Sequence, residues 1–169
     1  GAVHDSSLFT TVLPANDDFV NALEITSRQN TVFTNGVLYT YSQHSYNYGA
    51  TRQLNEPAFN QRSVWYTWVA PTNLIVYAAC ELPVYVYTGD NVSALNPIGE
   101  KVFSAVAGQT YRIAVCGGPS EFTLTLNGAL PAYNDNYNSA IALSGANSVS
   151  FYTYASSVES YDQPPTNSY

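Results

Sequence analysis

The chain has 169 residues, a formal net charge of −7 and only five Lys and Arg, which excludes the clustered cations that a nucleic-acid backbone or an anionic membrane surface requires. Hydrophobic residues make up 46% and charged residues 10%, against about 25% charged in an ordinary soluble domain, so a core can form while the surface falls to Asn, Ser, Thr, Gln and Tyr. No apolar run approaches the roughly 20 residues of a bilayer span, and the length suits one sandwich-sized domain plus a remainder.

Residues 1–14, "GAVHDSSLFTTVLP", mix β-branched and apolar positions without helical spacing and read as an extended arm ended by Pro14. Residues 16–26, "NDDFVNALEIT", read as a short helical turn capped by Asn16 or Asp17, with Ala22, Leu23 and Ile25 as its apolar face. "TVFT" and "VLYTY" flank Asn35-Gly36, a strong short hairpin signal. Residues 42–62 are polar and read as irregular.

From residue 63 the pattern sharpens. "SVWYTWVAP" alternates, with Val64, Tyr66 and Trp68 on one face and Trp65, Thr67 and Val69 on the other. "LIVYAAC" (74–80) is apolar on both faces, as in a central sandwich strand. "VYVY" (84–87), "KVFSAV" (101–106), "TYRIAVC" (110–116) and "EFTLTLN" (121–127) follow. In the last, Phe122, Leu124 and Leu126 point inward and Glu121, Thr123 and Thr125 outward. Turn chemistry at 70–71, 88–90, 96–97, 107–108 and 117–119 separates the runs. Short strands at this spacing predict an all-β antiparallel sandwich, jelly-roll-like, with an N-terminal arm.

"NGALPAY" (127–133) marks a boundary, after which "NDNYNSAIALS" (134–144) echoes residues 16–26. The second copy runs parallel to the first as far as Asp162-Gln163-Pro164, which matches Asn55-Glu56-Pro57. The expected organisation is an arm at 1–14, a sandwich at 15–128 and a partial second repeat at 129–169. A few strands cannot shelter their own apolar face, so that repeat is expected to be completed by strands from another chain or by a continuation of its own.

Several segments together resemble the bacterial pre-peptidase C-terminal domain family: "NDDFVNALEI", "GATRQLNEP" (49–57), "SVWYTWVAP", "VYVYTGDNVSALNPIG" (84–99), "VFSAVAGQTYRIAV" (102–115) and "FTLTL" (122–126). The resemblance implies a β-sandwich module of an extracellular protein. Leu82-Pro83, Gly99-Glu100-Lys101 and Cys116 stand where family members often carry Asp. A hard cation takes six to eight oxygens, and Asp17, Asp18 and Glu56 are the donors that remain. The expectation is no metal and no cofactor, with these acids serving as caps or pairing with Arg52 or Arg62.

Cys80 and Cys116 form one disulfide or are two small buried apolar side chains; if Ile113 and Val115 face the core, Cys116 points outward. Asn91-Val92-Ser93 is the single glycosylation sequon and falls in a loop. Trp65, if outward, is a platform for a sugar ring; the alternative is burial on both faces of its strand. Residues 39–48 hold Tyr39, Tyr41, Tyr46 and Tyr48 in what reads as a contact loop for carbohydrate or a neighbouring subunit. His4 and His44 lack partners at ligand spacing, and no nucleophile–base motif occurs.

Together these features predict a non-catalytic extracellular or cell-surface structural or adhesion protein that assembles head to tail with itself by strand exchange. The alternative is an accessory carbohydrate- or protein-binding module of a secreted hydrolase. Neither reading involves nucleic acid or a membrane span.

Overall fold

The computed structural model describes residues 12–33, 36–57 and 62–132. The second repeat from residue 133 onward and the arm up to residue 11 lie outside the described residues. The described chain is an all-β sandwich of two five-stranded sheets. In chain order the strands are β1 (Leu23–Glu24), β2 (Arg28–Phe33), β3 (Gly36–Tyr46), β4 (Ser63–Val69), β5 (Leu74–Ala79), β6 (Val84–Thr88), β7 (Asn96–Gly99), β8 (Val102–Ala105), β9 (Thr110–Cys116) and β10 (Glu121–Ala129). One sheet runs β1-β4-β9-β6-β7 and the other β2-β3-β10-β5-β8. Every pairing is antiparallel except β1 with β4.

The core follows the period-two pattern. Val64, Tyr66 and Trp68 of β4, Ile113 and Val115 of β9, Val84 and Val86 of β6 meet Leu74, Val76 and Ala78 of β5 and Phe122, Leu124 and Leu126 of β10 between the sheets. Trp68 sits in an aromatic group. Tyr41 packs edge-on at 5.4 Å, with Tyr111 at 5.8 Å and Phe103 at 6.3 Å, the separations at which ring quadrupoles attract. Gly128 on β10 leaves room for Leu74, whose Cδ1 lies 2.8 Å from where a Cβ would stand.

Three sequence expectations change. Residues 16–26 do not form a capped helix: a single 3₁₀ turn (Phe19–Asn21) leads into β1. The backbone here is recruited by β4, since Trp65 donates its N–H to the Asn16 carbonyl at 2.9 Å and Ile25 donates to Thr67 at 2.8 Å. Inter-strand bonds replace the i→i−4 bonds a helix would make, and Leu23 is exposed while Ile25 is buried. Next, β3 runs to Tyr46, so residues 42–46 are strand. Finally, Asn96-Pro97 is not a turn but the start of β7, an edge strand, where a sheet tolerates proline.

The β2–β3 pairing is antiparallel, with Phe33 opposite Gly36, while the Asn35 position of the expected turn lies outside the described residues. Among the described residues no helix is long and apolar enough to cross a membrane.

Candidate functional site: an open sheet edge beside a buried clasp

Three of the segments singled out in the sequence converge on the outer face of β4. Trp65 is fully buried there, although it points away from the core between the sheets. Phe19 meets it edge-on at 5.1 Å and Tyr87 lies at 6.2 Å. Its indole Nε1 donates to Glu56 Oε1 at 2.6 Å, and Ser63 Oγ lies 2.8 Å from both Glu56 oxygens. Asn16 Nδ2 donates to the Trp65 carbonyl at 2.9 Å, and the Phe19 N–H donates to Gln53 Oε1 at 2.9 Å. Asp17 accepts from the N–H and the hydroxyl of Thr51 at 2.6 and 2.8 Å. The opening motif and the segment 47–57 are thus clasped to β4 and to each other by buried and part-buried polar bonds, which satisfy groups whose burial would otherwise be costly.

Burial pushes the Glu56 carboxyl above its usual range, opposed by its bonds from Trp65 and Ser63 and a backbone bond from Gln53, with the Asp17 charge adding to the rise. Burial raises Cys116 and Tyr87 to about 12, with Glu56 adding to the first and Cys116 to the second. Arg112 lies over Phe19 at 5.0 Å from its centroid and bonds Asp90 at 3.1 Å. These groups hold the clasp together. The two carboxylates in it are occupied as acceptors, and neither pairs with Arg52 or Arg62.

The expected site residues scatter. Trp65 offers no face to a ligand, because the segment holding Phe19 covers the outer side of β4. Tyr39, Tyr41, Tyr46 and Tyr48 are not on one loop: the first three lie on β3 and Tyr48 just beyond it. Tyr41 is core, and Tyr39 is half-buried with Arg28 stacked at 5.8 Å. Only Tyr46 and Tyr48 remain as a surface pair, 41% and 46% exposed, stacked at 6.2 Å.

Cys80 and Cys116 are free thiols. Cys116 lies on the outer face, in the group around Trp65, and Cys80 packs against the core between the sheets, so a sheet separates them. Asn91 is exposed, and its side-chain oxygen accepts from the Ser93 N–H at 3.0 Å and the Ser93 hydroxyl at 2.8 Å.

The sheet edges show what sequence reading missed. Among the described residues three are short, and two of these carry features that disfavour pairing with another chain. β1 has two residues, β7 has four with Pro97 and a register shift against β6, and β8 has four and directly follows Lys101. The fourth is not. Among the described residues β2, with six residues, pairs only with β3, and residues 28–32 are exposed, Val32 by 76%. After Arg28 it carries no charge and no proline. The described end of the N-terminal arm also leaves apolar side chains in solvent: Val12 is 72% and Leu13 51% exposed before Pro14 turns into the clasp. On the outside of the same sheet, Thr40–Asn127, Ser42–Thr125 and His44–Thr123 form cross-strand rungs of 3.3 to 3.4 Å, the last beside Glu81, which accepts from the Thr123 N–H at 3.2 Å.

Comparison with known protein families, with curated proteins and with solved structures finds no match in any of them.

Proposed function

We propose that this chain is a non-catalytic structural module that assembles with copies of itself by strand addition, in an extracellular or cell-surface setting. The observation that carries the reading is the contrast among the four sheet edges of the described residues, where only β2 is long and exposed and lacks a proline or a charge after Arg28. An open edge of this kind offers a row of backbone donors and acceptors to an incoming strand, with main-chain bonds giving affinity and alternate side-chain positions giving specificity. Residues 8–13, "LFTTVL", have the β-branched composition of a donor. A donor on one side of the module and an acceptor on another make a head-to-tail contact, which propagates as a fibre unless it closes into a ring. The chain's resemblance to the pre-peptidase C-terminal family is compatible with this reading, since modules of that kind belong to extracellular proteins.

The test is Val32→Lys. Val32 is 76% exposed, so the substitution should cost within about 0.5 kcal/mol of fold stability, while it puts a charge on the pairing edge. Sedimentation should show concentration-dependent assembly of the native chain and monomers of the variant. Native chain that stays monomeric, or variant that assembles equally, refutes the proposal.

A second reading, an accessory carbohydrate-binding module, draws on the stacked Tyr46–Tyr48 pair and the uncharged hydroxyl and amide rungs on the outer face. It expects Tyr46→Ala to weaken binding of a neutral glucan without altering assembly.

A further inference from the structure

A cleft of about 640 Å³ opens between the segment 50–52, Arg62 and the turn 117–119, and it contains two of the chain's five cations, Arg52 and Arg62. Ala50, Thr51, Gly117, Gly118 and Pro119 complete the lining among the described residues, and none of these is acidic. Among the described residues neither guanidinium has an ion-pair or hydrogen-bond partner; the one ion pair is Arg112–Asp90. The other arginines are engaged, Arg28 over Tyr39 and Arg112 over Phe19.

The walls of the cleft are fixed. Asn47 is fully buried behind them. It exchanges bonds with Ser120 (N–H to carbonyl at 3.0 Å, Oδ1 from N–H at 2.7 Å) and donates from Nδ2 to the Gly117 carbonyl at 3.3 Å. Gly117 donates to the Arg62 carbonyl at 3.2 Å, and Ser63 to the Thr51 carbonyl at 3.2 Å. The nearby carboxylates do not compete for the arginines, because Asp17 is committed to Thr51 and Glu56 to Trp65 and Ser63.

We propose that this cleft binds a carboxylate side chain from a second copy of the protein. The planar fork of a guanidinium matches a carboxylate, and 640 Å³ admits a stretch of chain rather than a lone ion. The second copy is favoured by charge. With twelve Asp and Glu against five cations, like-charged copies repel, and an interface needs a place where the excess sign meets its opposite. This inference rests on the assembly reading above.

The experiment titrates dye-labelled hexaglutamate with the full chain by fluorescence anisotropy, in native form and with Val32→Lys to hold it monomeric. Hexaglutamine and oligogalacturonate serve as comparisons. Hexaglutamate should bind and hexaglutamine should not. The affinity should fall about tenfold or more in Arg52→Gln/Arg62→Gln and weaken with salt. Arg52→Lys/Arg62→Lys should fall between, since it keeps charge and loses the fork. A double variant that unfolds is replaced by that lysine pair, judged against an unchanged melting temperature. No binding, or equal binding by the variants, overturns the proposal. Oligogalacturonate binding without hexaglutamate binding overturns the protein occupant.

The failures are separable. A native chain that binds hexaglutamate yet never associates refutes assembly, and the occupant with it. A Gln/Gln variant that assembles as well as the native chain, with the same salt dependence, refutes the cleft and leaves assembly standing.

Discussion

Replacing Trp65 by Phe tests the clasp at its centre. The ring contacts to Phe19 and Tyr87 are largely kept, while the 2.6 Å bond from the indole N–H to Glu56 is lost. A hydrogen bond to a charged group contributes about 1.5–3 kcal/mol, and the smaller ring leaves some unfilled volume, so the total loss should be about 2–4 kcal/mol. Packing and bonding are separated by a cycle with Glu56→Gln. An amide oxygen still accepts from Trp65 but with roughly half the strength of a carboxylate, which gives a coupling of about 1–2 kcal/mol. Urea unfolding of the four proteins at neutral pH reads it. A coupling below about 0.3 kcal/mol, within ordinary additivity, would refute the view that the indole–carboxylate bond fastens the opening motif. Full stability of Trp65→Ala would refute burial of the ring itself.

Other expectations concern titration and modification. Glu56 is raised in the folded state, so the folded protein holds that proton at pH values where the unfolded chain has lost it. Stability therefore falls as pH rises from the ordinary carboxylate value of 4.5 through the raised value, then stays level. Relative to Glu56→Gln, the native chain should lose stability over that window; a difference that is flat with pH contradicts the assignment. Glu81, lowered by backbone bonds, acts in the opposite sense but is common to both proteins and cancels in the difference. Cys116, raised from 9.0 to about 12, should carry about a thousandfold less thiolate than an unfolded thiol. Alkylation at pH 8 should therefore proceed at Cys80 before Cys116, and intact mass should show two free thiols; a mass two units lower would mean a disulfide. The Asn91 sequon is exposed and held in an Asx turn, so protein from a glycosylating secretory route should carry one glycan that Asn91→Gln abolishes by mass.

Much of the sandwich was legible because alternation is a local signal. Phe122, Leu124 and Leu126 could be assigned inward from residues 121–127 alone, and β10 is built that way. The two faces of β4 were also legible, but not the fate of Trp65. Parity says that it points away from Trp68; only a contact 46 residues distant in sequence, Phe19, says that it is covered. The same long-range pairing made residues 16–26 look helical, because their caps and apolar spacing are local while their bonds go to β4. β7 was hidden by Asn96-Pro97, whose turn chemistry is equally at home on an edge strand. Residues 42–46 carry hydroxyls and amides on both faces and so lack alternation, yet β10 pairs with all of them. The open edge of β2 could not be read at all, since openness belongs to the sheet order and not to any segment.

Electron microscopy of the full chain beside its Val32→Lys variant, over a concentration series, tests assembly through β2 most directly. The native chain should form filaments with one 169-residue subunit per repeat, and the variant should remain as dispersed particles. Dispersed native particles at every concentration, or filaments from both proteins, would contradict the account.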